Sequence, residues 1–245
     1  MARAIALLDA LASSDAGLGV NELARRTGVN ASSASRLLAT LEAGGLVERS
    51  PGGPFRLGLK LVSLSDRVLA GVDVRDRARP WLLTLVDETG ETATLSVPGA
   101  DAAITVDFVP APSSVVSMAR LGRPSVPHAT AAGKVMLAFG GGDAALSRGS
   151  ELTGYTERTI TDPDALVREL ALVRERGIAE AIGEREPDLA AMAAPVIGRG
   201  DELVAIIGLQ GPLARLPATK RRALEQPLRR AAGEVGRLLG GPGAG

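Results

Sequence analysis

The side chains in this sequence best spaced to do chemistry on a partner are Arg36 and the hydroxyls around it, Ser32, Ser33, Ser35 and Thr40. At about 100° per residue, Ser32 and Arg36 point opposite an apolar stripe of Ala34, Leu37, Leu38 and Leu41, with Ser33, Ser35 and Thr40 on its flanks. A guanidinium can bond O6 and N7 of guanine together, and hydroxyls can reach phosphates or base edges. A helix that packs on one side and offers Ser, Thr and Arg on the other suits a DNA major groove. The plainer alternative for Arg36 is an exposed helix arginine paired with a glutamate or solvated. Among the hydroxyls, one could serve only as a helix cap.

These side chains need a scaffold, and residues 20–45 (VNELARRTGVNASSASRLLATLEAGG) supply it. Leu23 and Ala24 form the inner face of a first short helix, and Gly28-Val29-Asn30 makes a turn able to take positive φ. Asn30, the favoured N-cap, or Ala31 opens the second helix, which Gly44-Gly45 stops. Arg25 and Arg26 close the first helix, where a stabilising role at the negative end of its dipole competes with phosphate contact. Ahead of the pair, residues 1–13 have helical spacing at Ile5, Leu8 and Leu11. After it, LVERSPGGPFRLGLK reads as a hairpin packed through Val47, Phe55 and Leu57, with Arg49 and Arg56 flanking its tip, free to clamp phosphates, enter the minor groove or remain solvated. Three helices and a hairpin form a winged helix-turn-helix.

The remainder has a different texture. Residues 59–72 are helical in period and act as a connector, and a helix at roughly 75–89 follows. Strands are predicted at 92–97, 103–108, 115–118, 178–182, 190–196 and 203–209, with helices at 128–139, 163–176 and 218–239, the last kinked or restarted at Pro227. This is a helix-bounded antiparallel sheet whose strand order the sequence does not determine. His128, the single histidine, stands near Ser125, Thr130 and Lys134. General acid–base work needs a positioned partner, and no G-x-S-x-G or metal-ligand spacing accompanies it, so a structural or pocket-wall role is favoured.

Composition narrows the function classes. With no Cys there is no disulfide framework, thiol nucleophile or thiolate metal site, and one His does not make a zinc site. No cofactor is implied. Lys and Arg number 28, as do Asp and Glu, so any DNA affinity rests on a few well-placed arginines doubled by dimerisation. The chain opens on no signal-peptide pattern, and no apolar run approaches the roughly 20 residues that span a membrane, which makes the cytoplasm the expected location.

Three segments together resemble the IclR family of bacterial transcription regulators, and the resemblance covers nearly the whole chain. They are ELARRTGVNASSASRLLATLEAGGLVERS followed by FRLG, then LGRPSVPHATAAGKVMLA at 121–138, and AAMAAPVIGRGDELVAIIGLQGPLARL at 190–216. The resemblance implies an α+β chain. Its parts are a winged helix-turn-helix DNA-binding domain over 1–60, a linker helix over 61–75 and a GAF-like effector-binding domain over 76–240. It further implies a non-enzymatic regulator, more often repressor than activator, working as a homodimer or dimer of dimers on a pseudo-palindromic operator of double-stranded DNA. The implied pocket is bordered by Ser117, Met118, Leu121, Gly122 and Ala131, with Ala181, Leu189, Ala191, Gly208 and Gln210 from facing strands. Alanine at 181 and 191 and glycine at 208 make that pocket mostly apolar, suited to a hydrophobic or aromatic acid. Two other functions compete: a ligand-independent dimeric regulator, and an enzyme housed in the α+β domain.

Overall fold

The computed structural model describes residues 1–14, 16–50, 53–64, 73–112, 119–140 and 152–241. It divides into two compact units, Met1–Gly71 and Val72–Gly245.

The first unit contains α1 (Ala2–Ala12), α2 (Val20–Thr27), α3 (Ala31–Ala43) and a hairpin of β1 (Val47–Arg49) with β2 (Phe55–Leu57). This is the winged helix-turn-helix that the apolar spacing predicts. Gly28 leaves α2 at φ +67°, a conformation that glycine adopts without β-carbon strain. Leu7, Leu11, Leu23, Ala34, Leu38, Leu41, Val47 and Phe55 close one core. Two expected packing residues are not in it. Ile5 is 52% exposed, because at about 100° per residue it lies some 200° around α1 from Leu7, which is fully buried. Leu57 ends β2 beyond the reach of the core and is 37% exposed. The hairpin also gains an edge that the sequence did not reveal: Leu18 bridges Phe55, each amide donating to the other's carbonyl, at 3.0 and 2.9 Å.

The second unit follows the order α4 (Asp73–Thr89), β3 (Thr92–Pro98), β4 (Ala103–Val109), α5 (Ala131–Phe139), α6 (Pro163–Arg176), β5 (Ala179–Ile182), β6 (Leu189–Ile197), β7 (Leu203–Pro212) and α7 (Ala218–Leu238). Its strands form one antiparallel sheet in the order β4-β3-β7-β6-β5. Helices α5 and α6 pack with Ala181, Ala193 and Ile206 of the sheet. The intervening residues Ala190, Met192, Ala194 and Val196 are buried as well. Helices α4 and α7 pack on each other and on the sheet. A sheet buried on both faces reads as near-continuous apolar runs, which is why its strands show little alternation.

Helix α7 continues through Pro227 without the restart considered from the sequence, with Leu224 and Leu228 buried on either side of the proline. The predicted strand at 115–118 lies outside the described residues. So does most of the predicted connector, of which residues 60–64 are helical.

Gly133 sets how closely α5 approaches the segment before it. A β-carbon there would stand 2.5 Å from the Val126 carbonyl oxygen and 2.6 Å from the Pro127 backbone, and neither can rotate away. Gly133→Ala is therefore expected to destabilise the second unit by about 1–3 kcal/mol, as overpacking does. Thermal denaturation followed through Trp81, the single tryptophan, should show a midpoint lower by several degrees. An unchanged midpoint would mean that the backbone yields freely there.

Candidate nucleic-acid interface and ligand pocket

In the first unit, α3 is held by its cap and its buried face. The Asn30 carboxamide oxygen accepts the Ser33 amide at 2.8 Å and the Ser32 hydroxyl at 3.0 Å. Ala34, Leu38 and Leu41 are buried and Leu37 is half-buried against the same core. Ser32, Ser35, Arg36 and Thr40 are exposed and Ser33 is half-buried. Asn30 thus acts as the cap, Ser32 spends its proton on that cap, and Thr40 donates to the Arg36 carbonyl at 3.1 Å. The Arg36 guanidinium has no hydrogen-bond or ion-pair partner among the described residues.

Arg25 and Arg26 stand in the last turn of α2, where the helix dipole favours cations, and both also hold Glu22. Arg25 donates to both carboxylate oxygens of Glu22, at 2.9 and 2.7 Å, and Arg26 donates to one of them at 2.7 Å. Hydrogen bonds from Arg25 and Arg26 hold the Glu22 carboxyl at about 2, well below the usual carboxylate range. The pointer to this arrangement was the i,i+3 and i,i+4 spacing from Glu22. On the hairpin, the Arg49 guanidinium lies over the Phe55 ring, 5.3 Å from its centroid, and Arg56 faces Glu48 across the strands.

In the second unit, a cavity of about 110 Å³ opens beside the sheet. Ala131 of α5, Ala181 of β5, Leu189 and Ala191 of β6, and Gly208 and Gln210 of β7 all line it, as the resemblance implied. Leu121 and Gly122 do not. The segment 119–125 runs along β4, with the Gly122 amide bonded to the Thr105 carbonyl and the Ser125 amide to that of Ala103. Gly122 makes the turn of that segment, leaving Leu121 50% exposed while residues on either side of the turn, Arg120 and Arg123, face the cavity. Ser117 and Met118 lie outside the described residues.

The lining is mostly apolar, as the sequence suggests, with a polar patch added by two further strands of the same sheet. Thr94 and Ser96 of β3 and Thr105 of β4 present hydroxyls to the cavity, with Ser96 and Thr105 directly paired across the strands. Among the described residues no hydrogen bond occupies these three hydroxyls. At the rim Arg123 pairs with Glu186 at 3.1 Å, and the Arg185 guanidinium lies 4.4 Å from the Tyr155 ring centroid. Sequence reasoning had no signal for these residues beyond the period-2 placement of Thr94 and Ser96.

The loop carrying Glu184 and Glu186 is anchored from behind. Lys134 of α5, 1% exposed, donates to Glu184 at 2.8 Å, Glu169 at 3.1 Å and the Glu180 carbonyl at 2.9 Å, which uses all three ammonium protons. His128 is buried with Nε2 2.9 Å from the Thr153 carbonyl, so that nitrogen carries the proton. It does not line the cavity.

Comparison with known proteins agrees with this two-part organisation. The IclR helix-turn-helix domain model matches residues 1–51, and the model for the bacterial transcriptional regulator IclR C-terminal domain matches residues 66–237. The chain is 29% identical to the HTH-type transcriptional regulator XynR of Escherichia coli K12, over 98% of this chain and 96% of the relative. It is 34% identical to the glycerol operon regulatory protein of Streptomyces griseus, over 97% and 95%. A crystal structure of an IclR homologue from Microbacterium hydrocarbonoxydans, complexed with 4-hydroxybenzoate, superposes with a TM-score of 0.80 at 25% identity, covering 97% of this chain and 98% of that one.

Proposed function

The chain belongs to the IclR family and is a DNA-binding transcriptional regulator with a C-terminal effector domain, and we propose that it acts as a homodimer, or a dimer of dimers, reading a pseudo-palindromic operator. Two copies of α3 related by a two-fold axis would occupy successive major grooves, with Arg36 on base edges, Arg25, Arg26, Arg49 and Arg56 on phosphates, and Asn30 fixing the start of the helix. A chain with equal numbers of acidic and basic side chains offers no broad basic field, so doubling a small set of contacts is how it reaches useful affinity. The free protein represses, in this reading, and works in the cytoplasm beside the DNA it controls. No described helix is long and apolar enough to cross a membrane.

The effector we infer is a small carboxylic acid that also bears hydroxyl or carbonyl oxygens. The observation that carries this is the pairing, in one cavity, of the unoccupied Thr94, Ser96 and Thr105 hydroxyls with guanidiniums at 120, 123 and 185. Its size, about 110 Å³, is of the order of an engineered ~150 Å³ cavity that takes benzene. That admits one ring or a short acid. The 4-hydroxybenzoate complex of the Microbacterium homologue is of the same chemical class. A formed cavity with open polar groups favours this reading over a sensor domain that only dimerises. The relatives' roles as regulators, together with a His128 engaged by backbone, favour it over an enzyme.

Footprinting on the chain's own upstream DNA tests the first half: a protected site of two related half-sites is expected, and no protection with any candidate acid would sink it. For the second, a thermal-shift series with hydroxylated aromatic and short-chain acids should raise the melting temperature by mass action. Ala191→Leu places three more carbons in the cavity and should abolish that shift while leaving operator affinity intact. A shift that survives Ala191→Leu would place the acid elsewhere.

A further inference from the structure

Glu22 stands one turn before the cationic end of α2. It belongs to the first turn of an eight-residue helix whose last turn carries Arg25 and Arg26, and its two oxygens take three hydrogen bonds from those guanidiniums. The side chains are 34%, 72% and 41% exposed, so the whole cluster is open to solvent. A carboxylate accepting bidentate guanidinium bonds has the geometry and charge of a DNA phosphate oxygen pair.

From this geometry we infer that Glu22 is an internal phosphate mimic that occupies Arg25 and Arg26 in the free protein and lowers affinity for DNA of any sequence. Phosphate contact by Arg25 and Arg26 then proceeds by exchange: the duplex phosphates displace the Glu22 carboxylate from the two guanidiniums. Because the low proton affinity of Glu22 keeps it ionised throughout the useful pH range, the brake is permanent. Exposed ion pairs are weak individually, so a polyanion can break this one. Its consequence is selective: contacts that carry no sequence information are weakened, whereas base contacts from Arg36 on α3 are untouched. In a chain with few DNA-facing arginines this raises the share of binding that depends on sequence.

The inference rests on Arg25 and Arg26 being phosphate contacts, and the test separates the two. Binding of the intact protein to a mixed-sequence duplex is followed by fluorescence anisotropy over a salt series. Glu22→Gln, with folding checked by circular dichroism, should tighten binding by about 3- to 10-fold at low salt and steepen the slope of log K against log salt by about one per domain. Arg25→Ala/Arg26→Ala should weaken binding, and adding Glu22→Gln to that pair should then change nothing. Tightening that persists without the two arginines would overturn the latch in favour of plain repulsion of DNA by the Glu22 charge. No tightening in Glu22→Gln, while the arginine pair variant weakens, would also overturn it and leave the phosphate contacts standing. If the arginine pair variant binds as the wild type does, the phosphate reading itself fails, and the latch with it.

Discussion

Arg36→Ala should remove much of the discrimination between operator and mixed-sequence DNA by weakening operator binding, while sparing affinity for mixed-sequence DNA. The Arg36 side chain is exposed on the face of α3 opposite Ala34, Leu38 and Leu41, and it has no partner among the described residues. A bidentate contact to guanine contributes about 1–3 kcal/mol of discrimination. Two half-sites double that to about 2–6 kcal/mol, with every 1.4 kcal/mol a factor of ten. Mixed-sequence binding, set by phosphate contacts, should change little, and so should its salt slope. Arg36→Lys sharpens the test, because lysine keeps the charge without the planar fork and should leave mixed-sequence affinity unchanged without restoring the discrimination. Ser32→Ala should have a smaller effect, since the Ser32 hydroxyl already donates to Asn30. Competition anisotropy on the footprinted operator and a scrambled duplex measures all three. A loss for Arg36→Ala that is equal on both duplexes would reassign the residue to the phosphate backbone.

The helical part of this interface was legible in the sequence because its determinants are local. Apolar period, the Asn30 cap and the Gly28 turn are all set within a few residues of where they act. Ile5 and Leu57 show the limit. Each is apolar at a plausible spacing, yet a one- or two-residue phase difference decides whether the core or solvent receives it. The Glu22 cluster sits in plain view at helical spacing, but the same two arginines also suit the helix end, and only side-chain geometry shows that Glu22 engages both.

In the second unit the determinants are long-range. In the order β4-β3-β7-β6-β5 the central pairing of β3 with β7 joins strands more than 100 residues apart, and nothing local specifies that those two edges meet. Pocket residues on β5, β6 and β7 were reached through the family resemblance. Thr94, Ser96 and Thr105 were missed because β3 and β4 read as core strands, and nothing in their pattern says that a cavity covers one stretch of that face. The buried charges were illegible for the same reason. Asp107 binds Arg79 across 28 positions, and Glu91 binds Arg215 and Lys220 across more than 120.

Lys134 concentrates that long-range character, and its loss should be the most damaging single change to the second unit. It is 1% exposed and joins α5 to Glu169 of α6 and to Glu184, 50 positions away on the loop that walls the cavity. Glu169 is partly open to water, whereas Glu184 is buried and its second carboxylate oxygen already lacks a partner. Lys134→Met therefore leaves a buried carboxylate without its cation. Breaking such a pair from one side costs about 3–5 kcal/mol, a large part of the 5–15 kcal/mol that holds a typical domain folded. The companion change decides whether charge is the cause. In Lys134→Met/Glu184→Gln the orphaned charge is gone, and more than half of the lost stability should return, because neighbours in one network are not additive. Urea unfolding followed through Trp81 reports on this unit alone, as no other tryptophan is present. A single-variant cost below about 1 kcal/mol, the range of exposed ion pairs, would show that water reaches the cluster. A full cost with no recovery in the double variant would point to the packing of the lysine stem, leaving the Glu184–Glu186 wall of the pocket independent of Lys134.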